Sequence, residues 1–329
     1  MSATSPIAET PVATATGRLS VIDAARAAAL LAMACFHGIW DLGNVRLTPE
    51  NYAATPGGKL AAEGIAGSFL ILVGVGLVLM NGRGIRLKPT LTRLSRVAAG
   101  ALLATVATYL VFPDAFVFFG VLHCIAVSSV LGLPFLFLPW PFTLLAAVAV
   151  LAAPHVVQAD WLDPPALWFI GLGRITPRTN DYVPLFPWFG LVLMGIVVGR
   201  LGLPALARSR LGRWEPRSAF ARGATFAGRH SLAVYLIHQP VLFGLALGLA
   251  QITGPHPKAG LKAFRTDYQA MCIRGGGETA ECWVAARCTG EALMREDLFR
   301  EDGRPFTVPE RARAQELSRD CYSAAEGGR

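Results

Sequence analysis

An arginine and a histidine eleven residues apart could give this chain an anion clamp and a proton acceptor on one helix face. They are Arg26 and His37, in a stretch that starts near Arg18 and runs, almost wholly apolar, through Phe36-His37-Gly38-Ile39-Trp40-Asp41. At about 100° per residue, eleven steps return nearly to the starting angle and rise roughly 16 Å. Asp23, Arg26, Met33, His37 and Asp41 therefore share one stripe. Ionisable groups inside an apolar span are costly unless they face a cavity or a partner, so the stripe marks a candidate site and a polar path through most of a bilayer. His37 reads as a general base or nucleophile, because a neutral imidazole accepts a proton near neutral pH. Asp41, one turn on, could orient it. The guanidinium of Arg26 suits phosphate. The plainer readings are a packing histidine held by another helix and an arginine reaching back to the lipid headgroups.

Further candidates lie along the chain. His238 stands in Ser231-Leu-Ala-Val-Tyr235-Leu-Ile-His238-Gln239-Pro240, where Ser231, Tyr235 and His238 share a face and Pro240 removes a backbone donor. If that span begins at Ser231, His238 lies too far inward to touch His37; if it begins near Phe226, the two depths approach. His123, in Phe119-Gly-Val-Leu-His123-Cys-Ile, sits at roughly the depth of His37, with a packing role as the alternative. In Asp181-Tyr182-Val-Pro184-Leu-Phe-Pro187-Trp188, Tyr182 and Trp188 fit an interfacial belt, and Asp181 could bind a polar acceptor at the mouth. Trp40 and Trp188 are candidate acceptor contacts.

These residues need a membrane scaffold. The chain has 329 residues, 53% hydrophobic and 16% charged, with a mean hydropathy of +0.46, which is the profile of a polytopic all-α membrane protein. About seven apolar spans are expected, at 21–42, 60–80, 97–112, 116–138, 141–157, 186–203 and 231–252. The net charge of +8 is then a matter of loop orientation and not of nucleic-acid binding. Loop 81–96 carries Arg83, Arg86, Lys88, Arg93 and Arg96 without an acid, and loop 204–230 carries six arginines against Glu215. Loops 43–59 and 158–185 are mixed. Seven spans with the N-terminus inside put both basic loops in the cytoplasm. Residues 1–17, rich in Ala, Thr and Pro, read as a disordered cytoplasmic tail. Residues 18–252 form the transmembrane domain. Gly74 and Gly76, within the second span, suit close helix packing.

Residues 253–329 change character to charged and helix-prone, and fall outside the cytoplasm in this topology. Val308-Pro309-Glu310-Arg311 reads as a helix start. The segment holds four of the six cysteines, Cys272, Cys282, Cys288 and Cys321, which in an oxidising compartment suggests two disulfides with three possible pairings. Zinc is disfavoured by the absence of a Cys-x-x-Cys spacing. Cys35 and Cys124, within spans, read as small buried apolar residues.

Several motifs together resemble a known family. Ile22-Asp23-x-x-Arg26 followed by His37 resembles the first helix of integral-membrane acyltransferases. Gly120-Val-Leu-His-Cys-Ile-Ala, Asp181-Tyr-x-Pro-Leu-x-Pro187-Trp188-x-Gly190 and Ser231-Leu-x-Val-Tyr235-Leu-Ile-His238 resemble the bacterial relatives of heparan-α-glucosaminide N-acetyltransferase, over residues 18–250. The resemblance implies transfer of an acetyl group from cytoplasmic acetyl-CoA to a sugar or glycan on the far side of a membrane, here a bacterial inner membrane, with the tail periplasmic. It implies His37 as the key histidine and His238 as the closing-helix histidine. His123 stands where many relatives carry Gln, and the cysteine-bearing tail lies outside the pattern.

On that reading Arg26, Asp23, Arg83, Arg86 and Tyr235 would hold acyl-CoA, His37, Asp41, His238 and His123 would act on the thioester and acceptor, and Asp181, Trp188 and Trp40 would contact the acceptor. The expected partners are acyl-CoA, the acceptor, the lipid bilayer and a second copy in a homodimer, with no metal and no nucleic acid. A proton-coupled transporter using the Asp23/Arg26/His37 stripe as its path is the alternative.

Overall fold

The computed structural model describes residues 19–82, 84–299 and 305–327. Among the described residues eleven α-helices follow one another: α1 (Ser20–Asn44), α2 (Pro56–Asn81), α3 (Leu87–Val111), α4 (Val121–Leu131), α5 (Trp140–Val156), α6 (Leu185–Arg208), α7 (Ala219–Arg229), α8 (Ser231–Thr253), α9 (Leu261–Arg274), α10 (Thr279–Arg295) and α11 (Val308–Gly327). The described residues form no strand, and the fold is all-α. By length and composition α1, α2, α3, α6 and α8 can cross a membrane, whereas α4 and α5 are shorter apolar helices of 11 and 17 residues. Together they occupy the places of the seven apolar segments, and the protein is an integral membrane protein.

Two boundaries differ from the sequence reading. The third span begins at Leu87 rather than near 97, so Lys88, Arg93 and Arg96 stand on a helix and not in a loop. Pro89 is tolerated in a first turn, and Lys and Arg are good helix formers. The turn before it is closed by the buried Asn81, whose Oδ1 accepts from the Arg86 amide (2.9 Å) and from Thr90 Oγ1 (3.0 Å). The fourth segment is a short helix flanked by 3-10 turns at Pro113–Ala115 and Pro134–Leu136, because each proline lacks the amide that would continue an α-helical ladder.

Contacts divide the chain into two units. The first holds α1 as far as Met33 together with Glu63–Ile237. Its core gathers Leu70 and Leu77 of α2, Cys124 of α4, Ala147 of α5, and Val192, Leu193 and Ile196 of α6, all with almost no exposed surface. Glycines let the backbones touch: a Cβ on Gly74 would overlap the Val192 carbonyl, and one on Gly195 the Ile71 carbonyl. Lipid offers no hydrophobic drive between helices, so such close van der Waals packing holds them together. Gly74 thus has the packing role expected of it. Cys124 is buried as expected, but Cys35 is exposed.

The second unit holds Ala34–Ala62 and the chain from His238 onward. Here α10 packs against both α9 and α11. Disulfides Cys272–Cys282 and Cys288–Cys321 join α10 to each neighbour in turn. Leu293, Leu298, Leu317 and Cys321 form the small core between them. The loop after α1 is tied to this bundle. Arg46, left-handed at φ 62°, offers its carbonyl to the His256 amide (2.8 Å), and Glu50 pairs with Lys262. The last helix begins at Val308, where the sequence placed its start.

Candidate functional site

In the second unit, α1 and α8 bring four polar side chains together. His37 and Asp41 are one turn apart on α1 and so share a face. α8 supplies His238 and Gln239 consecutively. The imidazoles of His37 and His238 meet with ring centroids 5.1 Å apart at 62°, and Phe36 stands edge-on to His37 at 5.7 Å. Gln239 Nε2 donates to Asp41 Oδ1 at 2.9 Å, and Asp41 is 0% exposed. His37 Nδ1, Asp41 Oδ2 and Gln239 Oε1 are buried with no hydrogen-bond partner among the described residues. Buried polar atoms are nearly always satisfied, so three in one cluster present what a polar substrate would complete. The imidazole can take up a proton, and the carboxylate, held by the amide, can accept a second hydrogen bond.

Three sequence expectations change here. The rings touch although α8 begins at Ser231, the start that was to keep His238 away from His37. A helix start marks depth only where the chain leaves the membrane. Here one residue, His230, separates α7 from α8, so the start carries no such information. Asp41 bonds Gln239, and no hydrogen bond joins it to His37. Gln239 itself was not singled out, although an amide beside a histidine inside an apolar span is a signal of the same kind. Trp40, half-buried, uses its carbonyl to accept from Asn51 Nδ2 at 3.4 Å.

In the first unit a second cluster forms around Asp23, which is 1% exposed. Arg26 Nη1 lies 3.1 Å from its Oδ1 and Arg229 Nε 3.4 Å from its Oδ2. A Cβ on Gly76 would meet Arg26 Nη2 at 3.3 Å and the Nη atoms of Arg93 at 3.7 and 3.8 Å, so two guanidinium groups converge beside α2. Among the described residues three arginines stand against one carboxylate, a cationic set of planar donors suited to phosphate. Gly228 permits it: a Cβ there would overlap the Asp23 carbonyl. Arg93 and Arg229 read in the sequence only as loop charges. Arg86 is exposed, with its amide bonded to Asn81, and Arg83 lies outside the described residues.

The remaining candidates of this unit sit at one structural joint or in its core. Asp181 Oδ2 accepts from the Val121 amide at 2.9 Å, at the start of α4. The Val183 amide bonds the Phe119 carbonyl at 3.2 Å, and Thr179 Oγ1 donates to the Phe116 carbonyl at 2.7 Å. Burial pushes the Asp181 carboxyl above its ordinary range, and the Val121 bond opposes that shift. Tyr182 donates to the Trp168 carbonyl at 2.7 Å. His123 is engaged at both nitrogens. Its Nδ1 accepts from the Gly120 amide at 3.2 Å and its Nε2 lies 3.2 Å from Thr105 Oγ1. The Thr105 hydrogen goes to the Val117 carbonyl at 2.7 Å, so Nε2 is the protonated nitrogen. Trp188 and Tyr235 pack against the unit's core.

No curated protein and no solved structure matches the chain. The family model described as heparan-alpha-glucosaminide N-acetyltransferase, catalytic, matches residues 18–240. That is about two thirds of the sequence and includes every residue of both clusters. The chain therefore belongs to the heparan-alpha-glucosaminide N-acetyltransferase catalytic family and is a membrane acetyltransferase.

Proposed function

We propose that this protein transfers an acetyl group from acetyl-CoA, taken from the cytoplasm, to an amine or hydroxyl of a sugar or glycan on the other side of the membrane, with His37 as the base. One observation carries the reading: His37, Asp41 and Gln239 present three buried polar atoms without partners among the described residues, inside the family-matched segment. The cationic cluster of Arg26, Arg93 and Arg229 would take the coenzyme's phosphates. Eleven residues separate Arg26 from His37 in the sequence, which on a helix is roughly 16 Å, a distance the pantetheine arm largely bridges.

In the proposed step His37 removes the proton of the acceptor N–H or O–H as the acceptor atom attacks the thioester carbonyl. The new C–N or C–O bond forms, the C–S bond breaks, and the departing thiolate takes the proton from the imidazolium. Gln239 fixes Asp41 so that its second oxygen can accept from the acceptor. A route through acetyl-His37 would need two displacements and would give ping-pong kinetics.

The wider arrangement proposed is a cytoplasmic N-terminus, a membrane domain over 18–252 and a periplasmic tail over 253–329 in a bacterial inner membrane. The basic segments ahead of α3 and around α7 favour the cytoplasmic side, and the two disulfides favour an oxidising compartment for the tail. His37→Ala should abolish acetyl transfer while leaving acetyl-CoA binding in place. Normal turnover by that variant overturns the assignment. Accumulation of a solute in vesicles without coenzyme A would favour a carrier instead.

A further inference from the structure

The disulfide-linked bundle carries a surface cavity, open to solvent, of about 720 Å³, within the size range of small-molecule sites. Its apolar wall includes the rings of Phe264, Tyr268, Phe299 and Phe306. Phe264 meets Phe299 edge-on at 5.7 Å and Tyr268 at 5.9 Å. Its lining also includes one face of α11, where Arg311, Gln315, Ser318 and Arg319 recur at helical spacing. Ser318 Oγ bonds Tyr268 Oη at 2.9 Å. The neighbouring Arg313 is engaged by Glu296 and Glu316, whereas Arg311 and Arg319 make no ion pair among the described residues. Thr289 also lines the cavity. It is 2% exposed, and its Oγ1 has no hydrogen-bond partner among the described residues.

We propose that this cavity binds an acidic saccharide. Aromatic faces cover the C–H face of a sugar ring, guanidinium groups pair with its acid group, and Thr289 and Gln315 meet its hydroxyls. The distribution of the polar groups selects this class over a fatty acid. They extend over nine residues of α11, roughly 12 Å from first to last, whereas a fatty acid offers charge at one end only. The site is separate from the His37 cluster and does not depend on acetyl transfer.

The test is ligand-observed NMR titration of the full-length protein in neutral detergent with digalacturonate, beside neutral cellobiose. Digalacturonate should bind saturably and at least tenfold more tightly than cellobiose. The double variant Arg311→Gln/Arg319→Gln should remove that preference, and the isosteric Thr289→Val should weaken both sugars several-fold with the melting temperature retained. His37→Ala should leave binding unchanged. No binding by folded wild type at millimolar digalacturonate overturns the proposal. So does equal affinity for the two sugars, or preferential binding of decanoate.

Discussion

The bond between Gln239 and Asp41 offers a quantitative test of the candidate site. Gln239→Leu removes the amide that donates to Asp41 Oδ1 at 2.9 Å and leaves a wholly buried carboxyl without a partner. The single variant understates the bond, because leucine also removes the unpartnered Gln239 Oε1 and so recovers part of its desolvation cost. A double-mutant cycle with Asp41→Leu, which removes the acceptor, isolates the pair. Interhelical hydrogen bonds in membranes average about 0.6 kcal/mol, whereas bonds to a charged group in proteins contribute about 1.5–3 kcal/mol. Because the acceptor is a carboxylate, the expected coupling is about 1.5 kcal/mol or more, a factor of roughly ten in the unfolding constant. The assay is equilibrium unfolding in mixed micelles, titrated with a denaturing detergent, for wild type, both single variants and the double. Additive effects would refute the bond as a feature of the folded protein. A coupling near 0.6 kcal/mol would refute its charge-assisted character.

Other perturbations address the scaffold. Gly228→Ala forces a methyl group into the Asp23 carbonyl and should cost about 1–3 kcal/mol in the same unfolding assay, with acetyl-CoA binding weakened as the arginine cluster shifts. Replacing Cys288 and Cys321 by alanine opens a sequence separation of 33 and should destabilise the bundle by about 4 kcal/mol; the pair separated by 10, Cys272–Cys282, should cost nearer 3, both read from urea unfolding followed at Trp283. Asp181 tests a pH dependence. Burial raises its folded pKa above the unfolded one, so its contribution is fully present below the unfolded pKa and is lost as pH rises through the folded one. Wild type should therefore gain thermal stability relative to Asp181→Asn as pH falls from 7 towards 4, and a difference independent of pH would contradict this.

The one-helix part of the site was legible because a 3.6-residue period places His37 and Asp41 on one face whatever packs against it. Gln239 was not, since its role is a pairing between residues 198 apart in sequence, and no local pattern reports that. Arg93 and Arg229 were hidden for a different reason: arginines near span ends read as loop charges, and only the start of α3 at Leu87 and the end of α7 at Arg229 put them on helices. The opposite happened at His123 and Asp181. There the sequence singled out two polar residues without showing that they also hold backbone groups where the chain leaves one helix for another. The disulfide pairing could not be chosen among three, because it depends on α10 lying between α9 and α11.

The central claim is that this chain uses a coenzyme A thioester at the stripe carried by α1. Calorimetric titration of acetyl-CoA into the purified full-length protein tests it most directly, with wild type beside Arg26→Ala and His37→Ala. The account predicts saturable binding, weakened about tenfold or more by Arg26→Ala, as for loss of a charge-assisted phosphate contact, and retained by His37→Ala. Absence of saturable binding by well-folded wild type would contradict it.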